Sequence, residues 1–157
     1  MAVITSTGFE TLLLGPTSFD GIFRNGCIEI RSGIQPARAD LPPTGQLLAR
    51  ITRDGGPWQA GGTANGLHFV RNGRYVYKDP VQRWLLRGVA NGLAGWFRLV
   101  GNEPDLGQIS FTAPRIDGAI GLDDGSAGDF QMRLPTLAVT PDTSIELGDW
   151  WYAIPPL

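Results

Sequence analysis

The stretch "GLAGWFRLV", residues 92–100, decides how the chain is read. Trp96, Leu99 and Val100 favour a pleated, half-buried strand, and Gly92 and Gly95 loosen the backbone just before them. A second glycine-spaced phrase, "RIDGAIG" at 115–121, follows it. The pair is either the rim of a binding cleft or two framework strands of a sheet.

The flanking sequence favours the sheet. In "CIEIRSG" (27–33) Ile28 and Ile30 point one way and Glu29 and Arg31 the other, the period-two alternation of a half-buried strand. "GIQPARADLPPTG" (33–45), with three prolines, reads as a loop, and "QLLARIT" (46–52) as the next strand. "RDGGPWQAGGTANG" (53–66) is a glycine-rich connection carrying Trp58. "LHFVRNGRYVY" (67–77) is a hairpin signal, since Asn72-Gly73 between two apolar runs suits a type I′ turn. "VQRWLLRGVANG" (81–92) fits a strand, with 94–101 as its expected partner, although its middle also fits a turn of helix. "QISFTAP" (108–114), "RIDGAIG", "DFQMRLPTLAV" (129–139) and "TSIELGDWWYA" (143–153) complete the strands.

Helical spacing is confined to residues 4–25. There Phe9, Leu12 and Leu13 follow a cap at Ser6 or Thr7, and Gly15-Pro16 ends the helix. The predicted fold is mainly β: one antiparallel β-sandwich or jelly-roll-like domain over 26–151, preceded by a short N-terminal helix or arm (1–25). In "YAIPPL" two prolines stop any ladder, so 152–157 is expected to be an extended apolar arm.

The totals agree with one domain. The chain has 157 residues, 42% hydrophobic and 18% charged, with 22 glycines and 12 prolines in no simple repeat, as expected of a turn-rich β protein. A net charge of −2 argues against a nucleic-acid partner, which calls for a basic stripe. Lys78 is the one lysine, so positive charge is almost entirely arginine, the residue suited to bidentate pairing across interfaces. "MAVITSTGFETLLLGP" holds neither a basic n-region nor an apolar run beyond Leu12–Leu14, so no signal peptide, membrane span or membrane partner is expected.

Chemistry-bearing patterns are sparse. Cys27, alone, is expected to be a packed thiol, and His68 in "LHFV" a structural or surface histidine. "GSAG" (125–128) lacks the glycine two residues before Ser126 that a nucleophile elbow needs. Asp117, Asp123, Asp124 and Asp129 do not have EF-hand spacing; a loop calcium site from the last three is weighed against a plain turn, and the turn is preferred. No cofactor, no metal and no enzymatic activity are expected. Five tryptophans, Trp58, Trp84, Trp96, Trp150 and Trp151, fill a core or mark an interface. Trp150 and Trp151 must face opposite sides of a strand, so one of them covers a second surface, expected to be a neighbouring chain.

Three phrases carry a resemblance. Ser32, Gly33, Gln35, Pro36, Ala39 and Asp40 form "SG-x-QP-x-x-AD"; Trp96, Phe97 and Arg98 close "A-x-WFR"; Asp117, Gly118 and Gly121 form "DG-x-x-G". Their order and spacing over most of 26–150 resemble a group of small proteins encoded in tailed-bacteriophage structural modules. The N-terminal helix, usually longer and richer in alanine there, is broken here by Gly15-Pro16, and 53–90 is expanded. The resemblance implies a non-enzymatic virion component. The leading expectation is a head-decoration (cement) protein on the capsid surface, made in the host cytoplasm, that binds the major capsid protein and itself, with a trimer favoured. Its expected partner interface is Phe9, Leu12, Leu13, Leu14, Trp58, Trp151, Tyr152, Ile154, Pro155, Pro156 and Leu157. On this reading "RIDGAIG" is framework, with Gly118 and Gly121 serving a turn. A tail or baseplate component, and a carbohydrate-binding module using exposed tryptophans such as Trp58, are the alternatives.

Overall fold

A computed structural model describes residues 3–154. Its strands are β1 (Ile4–Thr5), β2 (Cys27–Ser32), β3 (Leu47–Arg53), β4 (Phe69–Asn72), β5 (Tyr75–Lys78), β6 (Trp84–Gly88), β7 (Gly92–Val100), β8 (Arg115–Leu122), β9 (Met132–Leu134), β10 (Ala138–Val139), β11 (Ser144–Leu147) and β12 (Trp151–Ala153). Two helices, α1 (Thr7–Leu14) and α2 (Phe19–Phe23), lie between β1 and β2. The large sheet runs β1-β8-β7-β2-β3-β6-β11, antiparallel throughout, with β10 added to β7 and β9 added parallel to β8. The small sheet is β12-β5-β4. The chain is a mainly β, sandwich-like domain, as its alternation predicts.

The register shows how that alternation builds two faces. Ile145, Leu86, Ile51, Ile28, Leu99 and Ile116 stand side by side on six consecutive strands, an apolar row. One residue along, Arg87, Arg50, Glu29, Arg98 and Asp117 form a parallel row of charges on the opposite face. A one-residue slip would exchange the rows, so register is strongly specified.

The apolar face is covered by α1, α2 and the small sheet. Phe9, Phe19, Phe23, Phe69, Trp84, Trp150 and Tyr152 meet there with ring centroids 4.9–6.5 Å apart, mostly edge-on or tilted. The N-terminal segment, expected as a short helix or arm, supplies four core members: Phe9, Phe19, Ile22 and Phe23. Ser6 is the cap of α1: its hydroxyl oxygen accepts from Phe9 N at 3.1 Å and from Arg115 N at 2.8 Å. The five-residue α2, capped by Ser18, has no counterpart in the sequence reading.

Other expectations need correction: β6, expected to pair with 94–101, instead lies between β3 and β11. Residues 108–114 form no strand, because Ser110 Oγ folds the chain by accepting from Thr112 N and Ala113 N, and Ser110 N bonds Asp40 O. The expected strand at 129–139 is two short ones interrupted around Pro135, and 143–153 splits at Gly148-Asp149 so that β11 and β12 join different sheets. In the β4–β5 hairpin Asn72 pairs with Tyr75, so Gly73 and Arg74 are the central residues. Only Gly73 has positive φ (63°), the pattern of a II′ rather than a I′ turn. Residues 152 and 153 are not an arm: they lie in β12, where Tyr152 pairs with Val76.

Candidate functional site

The three resemblance phrases meet in one place. Arg98 Nε and Nη2 donate to the two Asp117 carboxylate oxygens at 2.7 and 2.8 Å, and the pair is almost wholly buried. Arg98 Nη1 reaches on to Leu41 O, and its guanidinium lies 5.4 Å from the Trp96 ring centre. Trp96 Nε1 donates to Ser32 O at 3.2 Å. Arg115, equally buried, grips Asp105 with two bonds of 2.7 Å and donates to the carbonyls of Ala39 and Asp40. Asp40 accepts from Thr7 N, Thr7 Oγ1 and Arg38, which fastens the start of α1. Two buried arginines thereby strap the loops 33–45 and 101–114 across the charged face of the sheet.

The electrostatics follow the geometry. Burial raises the carboxyls of Asp40 and Asp105, but the Thr7 and Arg38 hydrogen bonds on Asp40, and the Arg115 and Gly107 bonds on Asp105, outweigh it and hold both below the ordinary carboxylate value. At Asp117 burial wins, and its carboxyl stands above that value despite Arg98. Asp117 and Gly118 form no turn; both lie inside β8. A Cβ on Gly118 would stand 2.6 Å from the Phe97 ring, and one on Gly121 2.3 Å from the Phe130 ring. These glycines make room for aromatic rings. The opening pair of phrases is framework.

A surface suited to binding lies on the small sheet. Alternation along β5 buries Val76 and turns Tyr75 and Tyr77 outward; on β12 it buries Tyr152 and leaves Trp151 outward, 59% exposed. Register places Trp151 opposite Tyr77. Tyr75 lies 6.2 Å from Tyr77 at 32° and 6.0 Å from Trp151 at 65°. The result is a notched, non-planar aromatic face on paired strands. Trp151 also borders two hollows, of about 490 and 470 Å³, which share Phe130 and Gln131 in their walls. A second apolar rim surrounds a cleft of about 610 Å³ between the helices and the 101–114 loop, where Leu12, Leu106 and Ile109 stand exposed.

The expected interface residues are therefore dispersed. Trp151, Leu12 and Leu14 are exposed. Leu13 and Ile154 pack partly against the core. Phe9 and Tyr152 are core residues, 1% and 6% exposed; Tyr152 stacks on Phe19 at 5.5 Å. Trp58 is half-buried, its indole N–H donating to Asn25 O at 2.7 Å. Pro155, Pro156 and Leu157 lie outside the described residues. The sequence reading missed Tyr75 and Tyr77; their alternation with Val76, beside a hairpin signal, was the clue.

The remaining candidates have structural placements. His68 Nε2 lies 3.0 Å from Asn25 Oδ1, and burial together with Arg24 lowers its pKa. Burial pushes the Cys27 thiol up to about 12, which keeps it protonated and inert. Asp124 accepts from Ser126 N in a turn at 2.9 Å. Among the described residues no three His, Cys, Asp or Glu side chains gather as a metal site, and no helix is long and apolar enough to cross a membrane. Comparison with protein-family models, curated proteins and solved structures finds no match for this chain.

Proposed function

We propose that this chain is a non-enzymatic structural component of a tailed-phage particle, a head-decoration protein that docks on the major capsid lattice. The observation that carries the proposal is the outward Tyr75–Tyr77–Trp151 face on the three-stranded sheet. Large rings at the centre of a patch are what anchor protein interfaces, where a few aromatic side chains supply most of the affinity. The 65° tilt between Trp151 and Tyr75 favours a partner that inserts side chains over a flat sugar ring, and the Trp58 N–H is already committed to Asn25. Bridging two subunits requires a second contact surface, and the exposed Leu12, Leu106 and Ile109 rim provides one. A contact of about 1,600 Å², repeated over a lattice, would gain further from avidity.

Quantitative mass spectrometry of purified virions tests this reading. Hundreds of copies, in a simple ratio to the major capsid protein, support decoration. A few copies, in sixes or twelves, assign the chain to the tail or baseplate. Absence from particles overturns the proposal.

A further inference from the structure

We infer that the charged face of the large sheet carries a carboxylate-binding site centred on Arg50. The inference stands independently of the aromatic face. In the charged row Arg50 sits directly between Glu29 on β2 and Arg87 on β6. Glu29 is the obvious partner, yet its Oε2 takes two hydrogen bonds from Arg31, at 3.1 and 2.7 Å. Asp117 is committed to Arg98 and Asp105 to Arg115. Among the described residues neither Arg50 nor Arg87 makes an ion pair. Two arginines thus occupy directly paired positions in the ladder, and like charges at such positions destabilise a sheet.

A second observation points the same way. Arg50 Nε is buried and has no hydrogen-bond acceptor, although buried donors are ordinarily paired. Arg50 lines a hollow of about 350 Å³ with Pro42, Pro43 and Leu106. Arg50 therefore brings a guanidinium with an unmet donor to the wall of open space.

The surroundings set the ligand's chemistry. Glu29 and Asp105 line the same hollow, each neutralised by its own arginine, so Arg50 contributes the one uncompensated charge of the lining. A monoanion matches that balance; a phosphate dianion would meet two nearby carboxylates. The two prolines and Leu106 offer an apolar wall for a methylene stem. The site fits a carboxylate on a short aliphatic stem, which can come from an acidic side chain of a protein partner or from a free short-chain acid. Arg50 would hold it through its planar donor fork.

Thermal melting of the full chain at fixed ionic strength tests the site, with sodium propionate, the peptide Ac-Gly-Glu-Gly-NH2, sodium phosphate and sodium chloride as probes. Propionate and the peptide are expected to raise the Tm of the native chain above the chloride control, and phosphate to raise it less. Arg50→Met removes these shifts while leaving the ligand-free Tm equal or higher, because an opposed charge and an unmet donor disappear together. Arg50→Gln repeats the comparison should the methionine variant not fold. Arg83→Gln, on a residue paired with Glu146 away from the hollow, keeps the full response. A peptide acting at about tenfold lower concentration than propionate identifies a protein side chain as the source, and equal potency identifies a free acid. A carboxylate shift that survives both Arg50 variants overturns the site, as does phosphate exceeding propionate. So does a ligand-free Tm that falls by several degrees in both variants, which would make Arg50 a structural residue.

Discussion

Replacing Arg98 by methionine is the sharpest test of how this domain is held together. The substitution preserves stem volume but leaves the Asp117 carboxylate, 0% exposed, without its two bonds of 2.7 and 2.8 Å. It also removes the shorter of two arginine bonds to Leu41 O, leaving the loop 33–45 held there by Arg115 Nη1 at 3.4 Å. Breaking a buried pair by removing one partner costs about 3–5 kcal/mol, because the remaining carboxylate stays out of water without its hydrogen-bonding partner. For a domain of this size, where about 1 kcal/mol moves Tm by about 2–4 °C, the expected fall is roughly 6–20 °C. Arg98→Met combined with Asp117→Leu removes the orphaned carboxylate and recovers most of that loss, so the two changes are strongly non-additive. Urea unfolding of the native chain, both single variants and the double variant supplies the cycle. A loss below about 1 kcal/mol for Arg98→Met, or a double variant equal to the sum of the singles, would refute the buried lock.

Other expectations are simpler to check. Gly118→Ala puts a methyl group 2.6 Å from the Phe97 ring and should cost about 1–3 kcal/mol in urea unfolding. Tyr152→Ala empties a core position stacked on Phe19 and should cost about 3–5 kcal/mol, whereas its neighbour Trp151→Ser, at an outward position, should leave Tm within about 2 °C. Stability should also fall with acid in two stages. His68 has a folded-state pKa below its ordinary 6.5, so the unfolded chain takes the proton first and stability drops as pH falls through that value. Asp40 and Asp105, both held below the ordinary 3.8, add a second loss as pH falls towards their folded values. Melting curves from pH 8 to 3 show both steps, and His68→Gln removes the first; a native Tm that stays flat from pH 7 to 5 contradicts the assignment.

The faces of the large sheet were legible because period two is a local property. The alternation in "CIEIRSG" already separates Ile28 and Ile30 from Glu29 and Arg31, and the register extends that division across the sheet. The opposition of Trp150 and Trp151 followed from the same rule, and they are 5% and 59% exposed. What stayed hidden depends on long-range pairing. Arginine is ordinarily a surface residue, so nothing local marks Arg98 or Arg115 as buried; only folding brings Asp117 and Asp105 to them. Asp117-Gly118 looks like a turn dipeptide, yet the glycine is there because Phe97 occupies the space of a side chain. The prolines after Ile154 made Tyr152 resemble the start of an arm, although the ladder with β5 continues through Ala153 before they begin. The helix α2 is too short, and Gly21 too central within it, for periodicity to register.

The binding surface was half visible for the same reason. Trp151 could be read from its tandem with Trp150, but its company with Tyr75 and Tyr77 requires β12 to lie beside β5, a pairing between positions more than seventy residues apart. Co-sedimentation of the chain with capsids lacking it tests that face most directly. Native protein and a Tyr75→Ser/Trp151→Ser variant are compared after circular dichroism has shown the same fold. The proposed docking predicts that the variant keeps its fold and loses binding by at least about thirtyfold, the loss of roughly 2 kcal/mol or more expected for anchoring aromatic residues. Undiminished binding by the folded variant would contradict it.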